Sequence, residues 1–272
     1  MNTKEITSKY KIIIADVLKT LDDYSSFFDL IIADPPFGID FNKSCHEYGA
    51  DGFILYEDKF EGDEYEKFSY KWISKCYKAL KPNGCMYIVS GWTNIGAILN
   101  AIKNTKFVLK NHIIWFFEWG VFTNKKYITS HYHILFLVRE EKNYTFKPQY
   151  SNPNTKRKGF KYEKDVWYWP KYNRGNDPDH IKGHPCQLPI ILMKKMINIS
   201  SNPGDWVGDI FSGSGGTLLA CRELGRHCIS IERNSDYLEI INKKARIDQD
   251  IIFKPDEKLD VEKKVQTGLD AF

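Results

Sequence analysis

The 272-residue sequence lacks the features that would place it in a membrane or outside the cell. No apolar run approaches the roughly 18 residues that a membrane-spanning helix needs, and the first residues show no secretory signal pattern. With 42% hydrophobic and 27% charged residues, the composition is ordinary for a globular protein. We therefore expect a cytoplasmic protein with one full hydrophobic core and a small appendage.

Closely spaced cysteines are missing as well. The six cysteines include no Cys-x-x-Cys pair, which argues against a zinc site and against a disulfide framework. We expect free thiols in a reducing compartment and no bound metal ion.

A strong net charge is also absent, since the total is only +4, but the charge is unevenly distributed. Between Lys125 and Lys182 there are 13 Lys and Arg against 6 Asp and Glu, a surplus of seven that includes the run Lys156–Lys158. Such a segment is a candidate footprint for a phosphate backbone. The aromatic residues interleaved with these cations are Tyr144, Phe146, Tyr150, Phe160, Tyr162, Trp167, Tyr168, Trp169 and Tyr172. They either stack on exposed bases or fill a small local core.

One short apolar run ends in an unusual turn. Residues 28–33 are apolar apart from one Asp, which predicts a buried strand, and Asp34, Pro35, Pro36 and Phe37 follow directly. In open α/β sheets, ligands bind at the carboxyl ends of the strands. The Asp34 carboxylate and the Pro35 carbonyl could accept both hydrogens of a planar amino group, and Phe37 could stack on the ring that carries it. A strand that simply ends in a Pro-Pro turn is the alternative.

A second motif lies near the other end of the chain. Residues 205–221 predict a strand, a glycine-rich turn at Gly213–Gly215 and a helix that starts near Thr217. The strand His227–Glu232 follows, and it places Glu232 17 residues after Gly215. An acidic residue at about this distance typically binds ribose hydroxyls, so the pattern indicates an adenosine-containing ligand. A tight strand-to-helix connection followed by an unrelated acid would give the same pattern.

Together these stretches resemble the amino-methylating DNA methyltransferases that use S-adenosylmethionine. Asp34–Phe37 matches the catalytic motif of that family, and Asp209–Gly215 resembles its Asp-Pro-Phe-x-Gly-Ser-Gly cofactor motif, with Ile210 in place of Pro. Gly183–Pro189 is similar to a further family segment. The catalytic motif precedes the cofactor motif, as in the circularly permuted beta class of N6-adenine and N4-cytosine enzymes.

The resemblance implies a role for each residue of both motifs. Asp34 and the Pro35 carbonyl would hold the target amine, Pro36 would stiffen the turn, and Phe37 would stack on the base. Residues assigned to the cofactor are Asp16, His184, Gln187, Asp209, Phe211, Gly213, Ser214, Gly215 and Glu232. Among these, Asp209 would pair with the methionine amino group, Glu232 with the ribose and Asp16 with the adenine amino group. His184 and Gln187 would lie near the carboxylate end, and Phe211 would pack on the cofactor.

The expected fold is α/β, a doubly wound Rossmann-like mixed sheet with an inserted target-recognition region. We expect a catalytic half over 1–117, the recognition region over 118–182, a cofactor half over 183–246 and a tail over 247–272. Strand 133–139 would belong to the core sheet as its edge. Residues 38–63 have little periodicity, and we interpret them as a lid or a disordered insertion.

The resulting hypothesis is methylation of adenine N6 in double-stranded DNA, with base flipping and direct in-line transfer. Single-stranded DNA and RNA stay open as substrates, as do a homodimer and a cognate restriction enzyme. Cytosine N4 is the alternative target, although Asp at position 34 favours adenine because the cytosine enzymes more often carry Ser there. A nicotinamide oxidoreductase would leave Asp34–Phe37 unexplained. A nucleic-acid-binding protein with a vestigial cofactor pocket is the non-enzymatic alternative.

Overall fold

A computed structural model describes residues 9–40, 54, 58–118, 120, 124–151, 154–157, 161–169 and 179–246. Most of the expected lid and the whole expected tail lie outside the described residues, as do Lys158, Phe160 and Tyr172. None of the helices within these ranges is both long enough and apolar enough to cross a membrane.

The described strands alternate with helices over most of the chain. The strands are β1 (Tyr10–Ile14), β2 (Phe28–Ala33), β3 (Leu80–Ser90), β4 (Val108–Phe116), β5 (His131–Val138), β6 (Val166–Tyr168), β7 (Trp206–Asp209) and β8 (His227–Glu232). The helices are α1 (Val17–Thr20), α2 (Glu64–Ala79), α3 (Ile95–Lys103), α4 (Ile190–Ser200), α5 (Gly216–Glu223) and α6 (Leu238–Ala245). Short 3-10 helices cover Leu21–Asp23 and Ser235–Tyr237.

These strands form one mixed sheet in the order β1-β8-β7-β2-β3-β5-β4-β6. The strands from β1 to β3 in this order are mutually parallel, whereas β5 runs antiparallel to both of its neighbours, β3 and β4. The expectation that the strand at 133–139 forms the sheet edge is therefore wrong. That strand is internal because β4 pairs beyond it, and β6 then pairs with β4 through Ile114 and Val166.

The sheet buries both of its faces, as a doubly wound fold requires. The residues of β2 alternate between the two faces. Leu30 and Ile32 pack with α4, α5 and α6 on one face. Ile31 and Ala33 pack with α1, α2 and α3 on the other. Side chains alternate because successive residues of a strand point to opposite faces. Trp72 on α2 and Trp115 on β4 are the largest fully buried side chains of the two cores.

One carboxylate aligns the central strands. Asp29 accepts two hydrogen bonds of 2.8 Å from the Lys81 ammonium on β3 and one of 2.9 Å from the backbone N–H of Trp206 on β7. Asp29 therefore fixes β2 between its two neighbours at the amino end of the strand. The carboxyl end of β2 then falls beside that of β7.

Candidate active site

The strand order brings four predicted site residues together at the carboxyl ends of neighbouring parallel strands, which we call the carboxyl edge of the sheet. Register pairs Ile14 of β1 with Glu232 of β8, and Ile32 of β2 with Asp209 of β7. Asp16 lies two residues beyond Ile14, and Asp34 lies two residues beyond Ile32. Because these strands are parallel, the carboxylates of Asp16, Glu232, Asp209 and Asp34 follow one another along the carboxyl edge.

The catalytic turn directly follows β2. Asp34 is partly buried and Pro35 is buried. Within the described part of the chain, no hydrogen-bond donor is directed at the Pro35 carbonyl, while the carbonyls of the three residues after it are engaged. The Phe37 ring lies edge-on to Tyr132 with 5.4 Å between centroids. It also covers Gly91, where an added Cβ would lie 3.0 Å from the ring.

Asp209 is a buried carboxylate with 3% of its surface exposed. Burial raises its pKa to about 7, against the opposing effect of hydroxyl donors such as Ser230, whose Oγ lies 3.3 Å from Oδ2. A cationic partner would stabilise the ionised form of this buried carboxyl group. Ile210, where the family has Pro, uses its N–H to donate a 3.4 Å hydrogen bond to the Ile32 carbonyl, which Pro could not do.

Glu232 connects β8 to the glycine turn. One oxygen accepts from the backbone N–H of Gly213 at 2.8 Å, and the other from that of Asn234 at 2.9 Å. Burial raises its pKa to about 7, and these backbone donors partly offset the rise. Each carboxylate oxygen has a second lone pair, so Glu232 can hold the turn and still accept hydroxyl hydrogens.

The glycine turn depends on left-handed backbone at two positions. Gly213 has φ +50 and Gly215 has φ +83, and α5 begins directly after Gly215. A Cβ on Gly213 would lie 2.6 Å from Nε2 of His184. The bare backbone at Gly213 therefore lets His184 lie against the turn, while the N–H groups of Gly213 and Gly215 donate to Glu232 and to the Ser212 carbonyl.

His184 and Gln187 lie beside this turn, and their contacts described here are with protein. Burial lowers the pKa of His184 to about 3, with the positive charge of Lys244 acting in the same direction. Its ring packs on Tyr237 with 4.8 Å between centroids. Gln187 Oε1 accepts a 2.6 Å hydrogen bond from Lys244, whose ammonium also lies 3.5 Å from the Ser214 hydroxyl. Their roles towards a cofactor stay predictions.

The other two predicted cofactor residues also have protein partners. Phe211 packs edge-on against Trp72 of α2 with 5.4 Å between centroids. Asp16 uses one oxygen to accept from the backbone N–H of Leu18 at 2.7 Å, which caps α1. The sequence predicted neither contact. The contact of Phe211 and of Asp16 with the cofactor also stays a prediction.

Sequence reasoning missed Tyr65 and Asn94, which contact the catalytic turn. Asn94 stands where a helix-capping residue is expected, yet it makes no side-chain cap on α3. Its amide instead reaches back to the turn. The position of Asn94 between the end of a strand and the start of a helix was the available signal in the sequence. An Asn at such a position normally indicates a helix cap and not a contact with another turn. Tyr65 gave no signal, because an aromatic residue on the apolar side of α2 reads as core.

The basic segment is spread over two regions. The loop with Lys125, Lys126 and Tyr127 joins the carboxyl end of β4 to β5, and the Tyr127 side chain is 97% exposed. In contrast, Lys147 is held beside the end of α4, where its backbone N–H donates to the Ile199 carbonyl at 2.9 Å. Of the interleaved aromatic residues, Trp167 is buried, whereas Phe146, Tyr150, Tyr162 and Tyr168 are exposed.

Comparison with known proteins agrees with this geometry. The sequence profile of a family described as DNA methylase, covering N6 and N4 enzymes, matches residues 28–243. M.HpaI, a type II methyltransferase of Haemophilus parainfluenzae, is 32% identical over 242 residues, which cover 86% of this chain and 71% of M.HpaI. YhdJ of Escherichia coli (strain K12), a DNA adenine methyltransferase, is 32% identical over 230 residues, covering 78% of this chain and 74% of YhdJ.

A solved structure shows the same architecture. The crystal structure of the M1.HpyAVI-SAM complex is 26% identical, with a TM-score of 0.58, and covers 87% of this chain and 99% of M1.HpyAVI. The fold and the carboxyl-edge site define a methyltransferase. The chain belongs to the N6/N4 family of DNA methylases. The predicted family, fold class and enzymatic class are thereby confirmed.

Proposed function

We propose that this protein is a site-specific DNA methyltransferase that transfers a methyl group from S-adenosylmethionine to N6 of adenine. Family membership supports the reaction class, and the similarity to YhdJ supports adenine as the base. The single observation that carries the proposal is the adjacency of β2 and β7, which places the Asp34 turn beside the Asp209 carboxylate and the glycine turn.

The residues at the carboxyl edge fit S-adenosylmethionine. Asp209 is a buried carboxylate whose raised pKa favours a cationic partner such as the methionine ammonium. Left-handed backbone at Gly213 and Gly215 shapes the turn at the start of α5, and Glu232 has spare lone pairs for ribose hydroxyls. When bound, the cofactor supplies an electrophilic methyl group.

Residues of the catalytic turn act on the target base. Its amine is a weak nucleophile because the nitrogen lone pair is delocalised into the ring. Asp34 and the Pro35 carbonyl would accept the two N–H hydrogens, which favours a tetrahedral nitrogen and restores the lone pair. The ring of Phe37, fixed by Tyr132, would hold the base by stacking. Positioning and fixed dipoles account for most of the expected rate.

Double-stranded DNA is the proposed partner. The target amine is enclosed in the duplex, so the base must be flipped into the site. The loop with Lys125, Lys126 and Tyr127 extends from the same sheet edge as Asp34, and its cations suit phosphates. A homodimer and a cognate restriction enzyme stay predictions.

Replacement of Asp34 by Ala tests the catalytic assignment. We expect methyl transfer to fall by at least about a hundredfold, while cofactor affinity stays within about threefold, because Asp34 acts on the target amine. Asp23→Ala, on an exposed carboxylate of the 3-10 helix Leu21–Asp23, is the control. Labelled cofactor with unmethylated DNA measures the rate, and calorimetry measures binding.

Single-molecule sequencing of the methylated DNA then identifies the base and the site. Methylcytosine in place of methyladenine would overturn the assigned base but keep the reaction class. Full activity of the Asp34→Ala variant would exclude the proposed mechanism.

A further inference from the structure

Three consecutive carbonyls of the catalytic turn are held by two side chains. The Tyr65 hydroxyl donates to the Pro36 carbonyl at 2.9 Å. The Asn94 amide donates to the Phe37 carbonyl at 2.7 Å and to the Gly38 carbonyl at 3.1 Å. Tyr65 comes from the first turn of α2 and Asn94 from the start of α3, so the turn is attached to two helices of the core.

The turn needs donors from outside because its own backbone supplies few. Pro35 and Pro36 have no N–H, and no sheet ladder holds the chain beyond β2. The backbone at Gly38 is left-handed, with φ +68. A Cβ there would lie 2.7 Å from Cδ2 of Tyr65 and 2.9 Å from Nδ2 of Asn94. The absence of a side chain at Gly38 therefore lets both donors approach the turn.

Tyr65 is suited to act as a permanent donor. It is 3% exposed, and burial raises its pKa, with the negative charges of Asp34 and Asp58 acting in the same direction. The hydroxyl consequently stays protonated at any physiological pH. Its ring packs against Phe60 with 5.1 Å between centroids, so removal of the hydroxyl alone leaves the packing in place.

We propose that Tyr65 and Asn94 are positioning residues for methyl transfer. By fixing the carbonyls of Pro36, Phe37 and Gly38, they set the direction of the preceding Pro35 carbonyl, which stays available for the target amine. They also set the plane of Phe37, because its backbone is held on one side by Asn94. This inference rests on the proposed function, and neither side chain touches the base or the cofactor in it.

Two substitutions test the proposal, each with a matched control on the same helix. Tyr65→Phe removes only the hydroxyl, and Tyr70→Phe removes one from an exposed position of α2. Asn94→Ala removes the amide, and Asn100→Ala removes an exposed amide on α3 that donates to Glu66 at 3.2 Å. The measurements are single-turnover methyl transfer at saturating DNA and cofactor, the KM for DNA, cofactor affinity by calorimetry, and melting temperature.

We expect each test variant to lose about tenfold in the transfer rate, because a misdirected acceptor acts on the reacting geometry. The KM for DNA and the cofactor affinity should stay within about twofold of the controls. The double variant should lose less than the product of the single losses, since both side chains hold one segment. An adenine analogue that fluoresces when unstacked should still show flipping of the target base.

Transfer rates equal to those of the controls would overturn the positioning role, and so would rate losses matched by equal losses of cofactor affinity and melting temperature. If the wild-type protein transfers no methyl group to DNA although it binds the cofactor, the proposed function itself fails. An active wild-type protein with unaffected variants would instead overturn only the positioning role, so the two failures can be distinguished.

Discussion

Two buried carboxylates, Asp209 and Glu232, give the site its electrostatic character. Burial raises the pKa of each to about 7. Because these folded-state values exceed those of the unfolded chain, protonation favours folding. This contribution is fully present below about pH 4 and is lost as the pH rises through about 7. A cationic ligand beside Asp209 would make the folded protein favour the ionised carboxylate instead of the protonated one, because the positive charge stabilises the ionised form.

Binding of S-adenosylmethionine should therefore release a proton near neutral pH. Cofactor affinity is expected to rise as the pH increases through about 7 and then to level off. Calorimetry at about pH 6.5, in two buffers with different ionisation enthalpies, measures the protons released. The Asp209→Asn variant should bind more weakly and release fewer protons. Equal heats in the two buffers for the wild-type protein would contradict this account.

At the scale of elements, the connection from β7 to α5 is the turn predicted to contact the cofactor. Gly215 has φ +83, and a Cβ on it would lie 3.0 Å from Cγ2 and 3.2 Å from Cα of Ile241 on α6. Gly225, in the turn after α5, has φ +70 and open space around its Cβ position. Both glycines therefore need left-handed backbone, but only Gly215 is packed against a neighbouring helix.

Substitution of each glycine by Ala separates these effects. Both variants should lose about 1–2 kcal/mol of folding free energy, because both need left-handed backbone. Gly215→Ala should lose more and should also bind cofactor at least about tenfold more weakly, since the new methyl group displaces α6 and the turn. Urea unfolding and calorimetry provide the two measurements. Equal cofactor affinity in both variants would show that the turn is only structural.

At the scale of the whole molecule, the positive charge divides between the carboxyl edge and the α4 side of the sheet. Lys125 and Lys126 lie in the loop from β4 to β5, on the edge that carries Asp34. Lys156 and Arg157 belong to a segment attached to α4, where Glu163 pairs with Lys195. The carboxyl-edge pair is the better placed for a duplex whose base enters the active site.

Charge reversal at each pair compares the two regions. Lys125→Glu with Lys126→Glu should weaken duplex binding and reduce the salt slope by roughly 0.9 for each lost phosphate contact. Lys156→Glu with Arg157→Glu is the matched variant and should have the smaller effect. Affinity for duplex DNA across a salt series measures both, and cofactor affinity should not change. A larger loss from the second pair would place the DNA footprint beside α4 instead.

The sequence by itself determined both motifs and the alternation of strands and helices. Asp34–Phe37 and Gly213–Gly215 were readable because each depends on contiguous residues: an apolar strand, a turn chemistry and an acid at a fixed distance. Strand β8 was predicted with the bounds that the structure gives, since its apolar residues are closely bounded by turns.

Only the tertiary structure decided how these pieces meet. Pairing of β2 with β7 joins residues about 177 positions apart in the chain, as Asp29 and Trp206 illustrate, and local pattern carries no information about it. The same limit explains the misplaced edge, because whether β5 is internal depends on which strands pair beyond it. It also explains why Tyr65 and Asn94 were missed: a hydrogen bond to the catalytic turn exists only once α2 and α3 pack beside β2.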